Sequence, residues 1–562
     1  MWSFQSFEVN NSPLLKALRK ISSGPDDFPE RPVTSKFRTL SFTSSPNAQF
    51  SRGLTTISSL STHDHFITTC ESLSIIPNPS ILSKLSSSPL IKLSLSHNAI
   101  TTDDIISLVH SFSHSTDLTE LSLNHCSIND DGSKLIADMV ITCTNLTVVE
   151  LFGNSISDDG LLPWVLTLRT SPHLLRLKLG DNDITDKGAE IISRGLSSTN
   201  CNLLQLHLGG CKITHIGAEF LANSLLFNTS LSSLGLRDNN LGCIGTQSLA
   251  PLIASPRCSL LDVQLKNNNI GVDGASVFAQ CLASNSSLRV IELQNNCFGS
   301  VGAKYIVQSL VSNVSVSAIN FNQCNIGDEG VFYLAELIKV NSYLSTLGLS
   351  GNNISEVGAE YLASALAANQ SIIGVDLSNN LIKDNGAQYL AGMLKVNRAL
   401  TSLDLSGNLI GQEGAIHLSS AIAVNRSLKH LDLGNNCIKN RGATAIAQSL
   451  SSNTCLMRLC LTDNSIYDQG GQKLIEALRD NHSLLTLSFG GQGVSANRMQ
   501  SATRRSIDRL LNRNKQNGRG KKGVVSRSLI DEVKPKREGK TGSEIAFDCG
   551  FLSFSSSDTS SD

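Results

Sequence analysis

The sequence predicts an α/β solenoid, with a concave parallel β-sheet, α-helices on the convex side, and about fifteen units of 28 or 29 residues. Three observations predict it. The pattern L-x-L-x-x-N/C-x-I/L recurs in one frame, its Asn/Cys slot falling fourteen times from Asn98 to Asn464. Neighbouring slots lie 28 residues apart, with two intervals of 29. Six residues after the slot stands a glycine, in thirteen successive units from Gly132 to Gly470. After it comes an apolar stripe at helical spacing, such as Ala359, Leu362, Ala363 and Leu366. Self-similarity at such a period is the mark of a stacked-repeat architecture.

Taken in chain order, residues 1–65 are Ser-rich with scattered Pro and read as disordered. The segment SPLLKALRKI suits a short amphipathic helix, and Ser22 and Ser41 follow Arg19 and Arg38 at basophilic-kinase spacing. Residues 66–84 are expected to hold a degenerate capping unit. The array then runs to residue 492, ending in an irregular fifteenth unit with Leu487, Phe489 and Gln492.

Within each unit, leucines such as Leu347 and Leu349 alternate with small or polar residues, as in a strand buried on one face. A glycine at a fixed place implies tight packing or a backbone angle closed to other residues. The small alanines of the helical stripe let each helix approach the sheet. Most helices precede a second Asn, from Asn285 to Asn481, which is expected to cap the helix in the left-handed conformation. Several of these Asn begin N-x-S/T sequons, including Asn313 and Asn425, and the repeat itself explains their spacing.

Strands lie about 4.8 Å apart, whereas a helix needs roughly 10 Å, so the two layers must curve with the strands inside. Fifteen strands give an inner arc on the order of 70 Å, the shape of a horseshoe. Residues 493–515 carry Ile507, Leu510 and Leu511 on one face, as for a helix closing the last open edge. Residues 516–562 hold a basic run (Lys521, Lys522, Lys534, Lys536, Arg537, Lys540) and end in a Ser/Asp-rich tail. That tail reads as solvated, with nuclear import or anion binding as the alternative.

With 46 basic and 47 acidic residues, the overall balance calls for neither nucleic acid nor membrane. The fourteen scattered cysteines suit a reducing compartment rather than a disulfide framework. The N-terminus lacks the apolar run of a signal peptide. Arg19, Arg31, Arg38 and Arg52 suit an organellar transit peptide, but Glu8, Asp26, Asp27 and Glu30 oppose it. A cytoplasmic location is expected, with nuclear or organellar import left open.

No catalytic signature, metal motif or cofactor site is found, and the chain is read as a non-enzyme. Gly539-Lys540-Thr541 resembles a phosphate-binding loop, but Lys534 stands where its first glycine belongs. Cys126, Cys211 and Cys324 fill the Asn slot, where a thiol serves as a packing variant. Binding is therefore sought on the concave strands, at positions four and two residues before the slot. Two patches stand out on that face. Arg176, Lys178, Arg237 and Lys266 form a basic patch, diluted by Glu150 and Asp262, and Asp376, Asp404 and Asp432 form an acidic ladder. Carboxylates on neighbouring strands would sit about 5 Å apart and repel, and folding does not require them there. The ladder is read either as a binding site for a basic partner segment or as a water-screened surface.

The alternating 28/29-residue unit, with its L-x-L-x-x-N/C-x-I strand, Gly-Ala pair and long helix, resembles the ribonuclease-inhibitor class of leucine-rich repeats over residues 85–495. That class includes ribonuclease inhibitor, the arrays of NOD-like receptors and the Ran GTPase-activating proteins. The resemblance implies a protein-interaction scaffold or sensor. The alternatives it carries are Ran-type GTPase activation, for which the basic C-terminus departs from the family's acidic tail, and a structural part in a cytoskeletal or ciliary assembly. Inhibition of a basic ribonuclease is a further implied reading.

Overall fold

The structure, a computed structural model, describes residues 62–85, 90–113, 115–490 and 496–521, with side chains to residue 516. The chain divides into two units, Met1–Ser59 and Leu60–Asp562, and every described residue belongs to the second. The kinase-type sequences at Ser22 and Ser41, the N-terminal amphipathic segment and the tail from residue 522 lie outside the described residues.

Two helices come first, α1 (Thr62–Leu73) and α2 (Pro79–Leu82). Strand and helix then alternate: β1 (Lys92–Ser94), α3 (Thr102–Phe112), β2 (Glu120–Ser122), α4 (Asp130–Thr142), β3 (Val148–Glu150), a 3-10 turn and α5 (Leu162–Thr170), β4 (Arg176–Lys178), α6 (Asp186–Leu196), β5 (Gln205–His207) and α7 (His215–Leu225). The middle of the array holds β6 (Ser233–Gly235), α8 (Gly242–Ala254), β7 (Asp262–Gln264), α9 (Val272–Ser284), β8 (Val290–Glu292), α10 (Gly299–Leu310), β9 (Ala318–Asn320), α11 (Gly327–Ile338), β10 (Thr346–Gly348) and α12 (Glu356–Ala368). The last part holds β11 (Gly374–Asp376), α13 (Lys383–Val396), β12 (Ser402–Asp404), α14 (Gln412–Val424), β13 (His430–Asp432), α15 (Lys439–Ser452), β14 (Arg458–Cys460), α16 (Asp468–Asp480), β15 (Thr486–Ser488) and α17 (Ser501–Lys521). All fifteen strands form one open parallel sheet in sequence order, the expected α/β solenoid.

Each strand is three residues long because only its central aliphatic residue faces the helices. Leu347, Val375 and Leu403 are buried, while their neighbours point outward. One continuous core runs from Phe66 to Leu511, and the Ala359–Leu366 stripe lies within it.

The Asn slot stitches unit to unit. Asn296 Nδ2 donates to Leu265 O (2.9 Å) in the preceding unit and to Leu293 O (2.8 Å). Its Oδ1 accepts from the N–H groups of Asn268 (3.1 Å) and Ile270 (2.9 Å). One buried amide thus satisfies backbone groups that irregular turns would otherwise leave unpaired. At Cys126 and Cys324 the thiol donates to the equivalent carbonyls, Leu95 O (3.1 Å) and Leu293 O (3.2 Å). Burial pushes the Cys324 thiol up to about 12, in keeping with a packing role.

The second Asn series departs from expectation. These residues do follow the helices, but Asn369, Asn397 and Asn425 are extended, with φ near −70°, rather than left-handed. They act through their side chains. Asn397 Nδ2 reaches back to Leu366 O (2.7 Å), a free carbonyl at the end of the previous helix. Its Oδ1 accepts from Ala399 N (2.9 Å) and Leu400 N (2.8 Å). The sequon residues Asn313 and Asn425 are buried in the same arrangement. Left-handed residues occur instead just before the first slot, as at Asn295, Asn379 and Asn435, where the chain turns off the strand.

The fixed glycine answers to close approach. A Cβ on Gly414 would lie 2.6 Å from Asp384 Oδ1 and 2.8 Å from Ile410 Cγ2. Asp384 belongs to the first turn of the previous helix and accepts from Gly411 N (2.6 Å) and Gly414 N (2.9 Å), capping α14 from the neighbouring unit. Asp328 does the same for α12 through Ser355 and Gly358.

In the irregular fifteenth unit the slot is displaced. Asn497 takes the stitching role, accepting from Asn464 N (3.1 Å) and Ile466 N (2.9 Å). Beyond it, α17 packs on α16, burying Ile507 and Leu511. Asn514 and Arg513 of α17 donate to Asn481 O, at 3.1 and 2.9 Å.

Candidate functional site

Side chains six, four and two residues before each slot stand on the sheet face turned away from the helices, and strand pairing aligns them in rows. In the four-before row the register runs Glu150, Lys178, His207, Gly235, Gln264 and Glu292. Farther along the same row, Asp376 pairs with Asp404 and Asp404 with Asp432, so the three ladder carboxylates are direct neighbours.

The ladder is held in place and partly removed from water. Asp376 is 8% exposed and accepts from Ser378 N (3.0 Å), Ser378 Oγ (2.7 Å) and Asn322 Nδ2 (3.1 Å), the last from just beyond β9. Asp404 accepts from Ser406 N (2.8 Å) and Ser406 Oγ (2.7 Å), and Asp432 from Gly434 N (2.7 Å). Burial, then the Asp432 charge, pushes the Asp404 carboxyl up to about 7, with Asp376 adding to the rise and the Ser406 bonds opposing it. Beside it lies an open hollow of about 270 Å³ lined by Asp404, His430, Asp432, Arg458, Cys460 and Thr486, among others. Burial and the cations Arg458 and Lys429 hold His430 below the ordinary imidazole value.

The basic residues are brought to one region, but two of the four are already paired with carboxylates. Lys178 Nζ lies 2.8 Å from Glu150 Oε1, and Arg237 pairs with Asp238. Burial raises the Glu150 carboxyl, yet the bond and charge of Lys178, with Asn124 and Ser122, hold it below its usual value. Arg176 Nε donates to Gln205 Oε1 (2.5 Å) and has no carboxylate partner among the described residues; Lys266 likewise forms no ion pair there. Glu150 therefore does dilute the patch, whereas Asp262 pairs with no cation among the described residues.

A second hollow of about 310 Å³ lies here, lined by Gly180, Gly209 and Gly235 at or just beyond the ends of β4, β5 and β6, and by Phe152, Lys178, His207 and Arg237 among others. The Arg237 guanidinium stands 5.5 Å from the centre of the Phe152 ring. Burial, with Lys178, Arg176 and Arg237 nearby, pushes His207 down to about 4, so its ring is neutral at physiological pH. His207 and Phe152 stand four and two residues before their slots, and the sequence signal for this hollow is Gly180, Gly209 and Gly235 in three successive units. Among the described residues no group of three or more His, Cys, Asp or Glu side chains is placed to hold a metal ion. No helix among them is long and apolar enough to cross a membrane.

The sequence matches the family described as Leucine Rich repeat in nine segments between residues 114 and 447, including 284–307, 312–335 and 340–363. Solved structures similar to the chain include an internalin from Listeria monocytogenes. That match is 21% identical and covers 70% of this chain and 90% of the internalin, with a TM-score of 0.40. Actin-binding site 2 of leiomodin-1 is 19% identical over 34% of this chain and 92% of its own, with a TM-score of 0.24. The tropomodulin C-terminal domain of Caenorhabditis elegans is 16% identical over 29% of this chain and 97% of its own, with a TM-score of 0.26. No curated protein matches the chain. The chain carries leucine-rich repeats, and its described array is a leucine-rich-repeat solenoid.

Proposed function

We propose that the chain is a protein-interaction scaffold of the ribonuclease-inhibitor-like type, gripping a partner on the sheet face with the carboxylates of Asp376, Asp404 and Asp432. The observation that carries this reading is the in-register triad itself. Three carboxylates stand on adjacent strands with no ion-pair partner among the described residues, and one is raised to about 7. The backbone bonds that each carboxylate accepts do not require three like charges side by side, and perturbed carboxyl groups cluster at functional sites. The complementary ligand is a basic peptide segment. The repeat architecture supports the reading, because stacked units present one long, rigid face. No disulfide joins any of the thirteen cysteines among the described residues, which suits a reducing compartment such as the cytoplasm.

Affinity capture with mass spectrometry, comparing wild type with an Asp376→Lys, Asp404→Lys, Asp432→Lys variant shown folded by circular dichroism, tests the proposal. A partner that the wild type captures and the variant loses supports it. Identical captured sets reject the ladder as the site.

A further inference from the structure

A second cluster on the sheet face lies six strands from the N-terminal edge, and its acceptors outnumber its donors. Asp262 on β7 uses one oxygen fully: Oδ2 accepts from Ser233 Oγ (2.9 Å) and Gln264 Nε2 (3.0 Å). Its Oδ1 is buried and meets no donor. On the next strand, Glu292 Oε2 accepts from Gln294 Nε2 (3.3 Å), and Gln294 is itself only 8% exposed. The other end of that amide, Gln294 Oε1, is also buried without a donor. Strand register sets Glu292 opposite Gln264, and Asp262 one step along the diagonal, within about 8 Å.

Two unpaired buried acceptors on adjacent strands are unusual, because a buried polar atom without a partner costs stability. Both carboxyl groups are raised, first of all by burial. Burial raises Asp262, with the Ser233 and Gln264 bonds opposing the rise. Burial and then the Asp262 charge raise Glu292, despite the influence of Lys266 and Arg237. Neither of those cations closes an ion pair on the cluster; Arg237 is engaged with Asp238.

We propose that Asp262, Glu292 and Gln294 form a receptor for one arginine side chain of a protein partner. The missing component is a flat, positively charged group rich in N–H donors, able to address acceptors on two strands at once. A guanidinium has five such donors in a fixed fork, whereas an ammonium is a point charge with three. A metal ion suits the site less well, because it needs several oxygen ligands converging on one point, whereas these acceptors are spread over two strands. This inference rests on the reading that the sheet face binds protein, and it adds a second anchor four strands before the ladder.

The test uses the full chain and a fluorescein-labelled Gly-Ser-Arg-Ser-Gly peptide, followed by fluorescence anisotropy. The arginine peptide is expected to bind, and its citrulline counterpart to bind at least tenfold more weakly. Asp262→Asn with Glu292→Gln, and separately Gln294→Leu, should each weaken the arginine peptide tenfold or more. These variants keep side-chain size, and thermal unfolding confirms that they are folded. Asp376→Asn, Asp404→Asn, Asp432→Asn should leave the arginine peptide's affinity within twofold, so the two sites stand or fall separately. Absence of binding, equal affinity for arginine and citrulline, or unchanged affinity in the Asp262/Glu292 variant overturns the proposal. So does tighter binding of Ca²⁺ than of the arginine peptide at the same residues.

Discussion

Replacing Asn352 by Ala tests the stitching that holds unit to unit. Asn352 is fully buried and makes four bonds to the backbone. Its Nδ2 donates to Phe321 O (2.8 Å) and Ser350 O (3.2 Å), and its Oδ1 accepts from Cys324 N (3.0 Å) and Ile326 N (3.2 Å). At roughly 1 kcal/mol per bond, Asn352→Ala costs about 4 kcal/mol, and the stranded N–H groups of Cys324 and Ile326 deepen the loss. Asn352→Cys should cost only about half as much. The thiol of Cys324 shows why, donating in the equivalent slot to Leu293 O (3.2 Å). Urea unfolding followed by far-UV circular dichroism gives the stabilities. Hydrogen exchange at Cys324 and Ile326 locates the loss, which in a stacked array is confined to neighbouring units. An Ala variant within about 1 kcal/mol of wild type, or a Cys variant no better than Ala, would refute the reasoning.

Three further outcomes follow from particular residues. Because Asp404 is raised from 3.8 to about 7, the folded chain keeps a proton that the unfolded chain has released between those values. Stability therefore falls as pH rises through that window, by at most about 4 kcal/mol. Asp404→Asn should remove most of the difference in urea midpoint between pH 5 and pH 8. Gly414→Ala should destabilise by about 2 kcal/mol or more despite alanine's helix preference, because its Cβ meets Asp384 Oδ1 and Ile410. Gly392→Ala in α13, where a Cβ meets nothing within 4 Å, should stabilise by about 0.5–1 kcal/mol; thermal scans of the pair decide. Asp328→Ala removes the cap that Ser355 N (2.8 Å), Ser355 Oγ (2.6 Å) and Gly358 N (3.0 Å) use, at about 1–2 kcal/mol by urea unfolding. Asp131→Ala, which loses only a surface pair with Lys134, should change stability by less than about 0.5 kcal/mol.

The solenoid was legible because its signals are local and periodic. Leu347 and Leu349 mark a strand with one buried face, and Ala359 to Leu366 a helix that packs on it. What an asparagine does in that frame was less legible. The residue type marks Asn352 as special, but its target, a carbonyl 31 residues earlier, depends on how units stack. The same holds for Asn397, whose side chain caps a neighbouring helix while its backbone stays extended. Asn497 escaped the period because extra residues displaced the slot.

At the sheet face, sequence spacing was enough to align Asp376, Asp404 and Asp432, since parallel register preserves the repeat number. It did not show that Lys178 and Arg237 spend their charge on Glu150 and Asp238. Nor did it reveal the acceptors left open at Asp262 and Gln294, because bonding within a face depends on rotamers rather than on period.

The most direct measurement is titration calorimetry of a partner captured by the wild type, against wild type and the Asp376→Asn, Asp404→Asn, Asp432→Asn variant, at pH 6 and pH 8. Deprotonation of Asp404 above about 7 completes the negative ladder, so a basic partner should bind wild type more tightly at pH 8 than at pH 6. The variant should bind at least tenfold more weakly and lose that pH dependence. Equal affinity for the two proteins at both pH values would contradict the claim that the carboxylate ladder is the binding site.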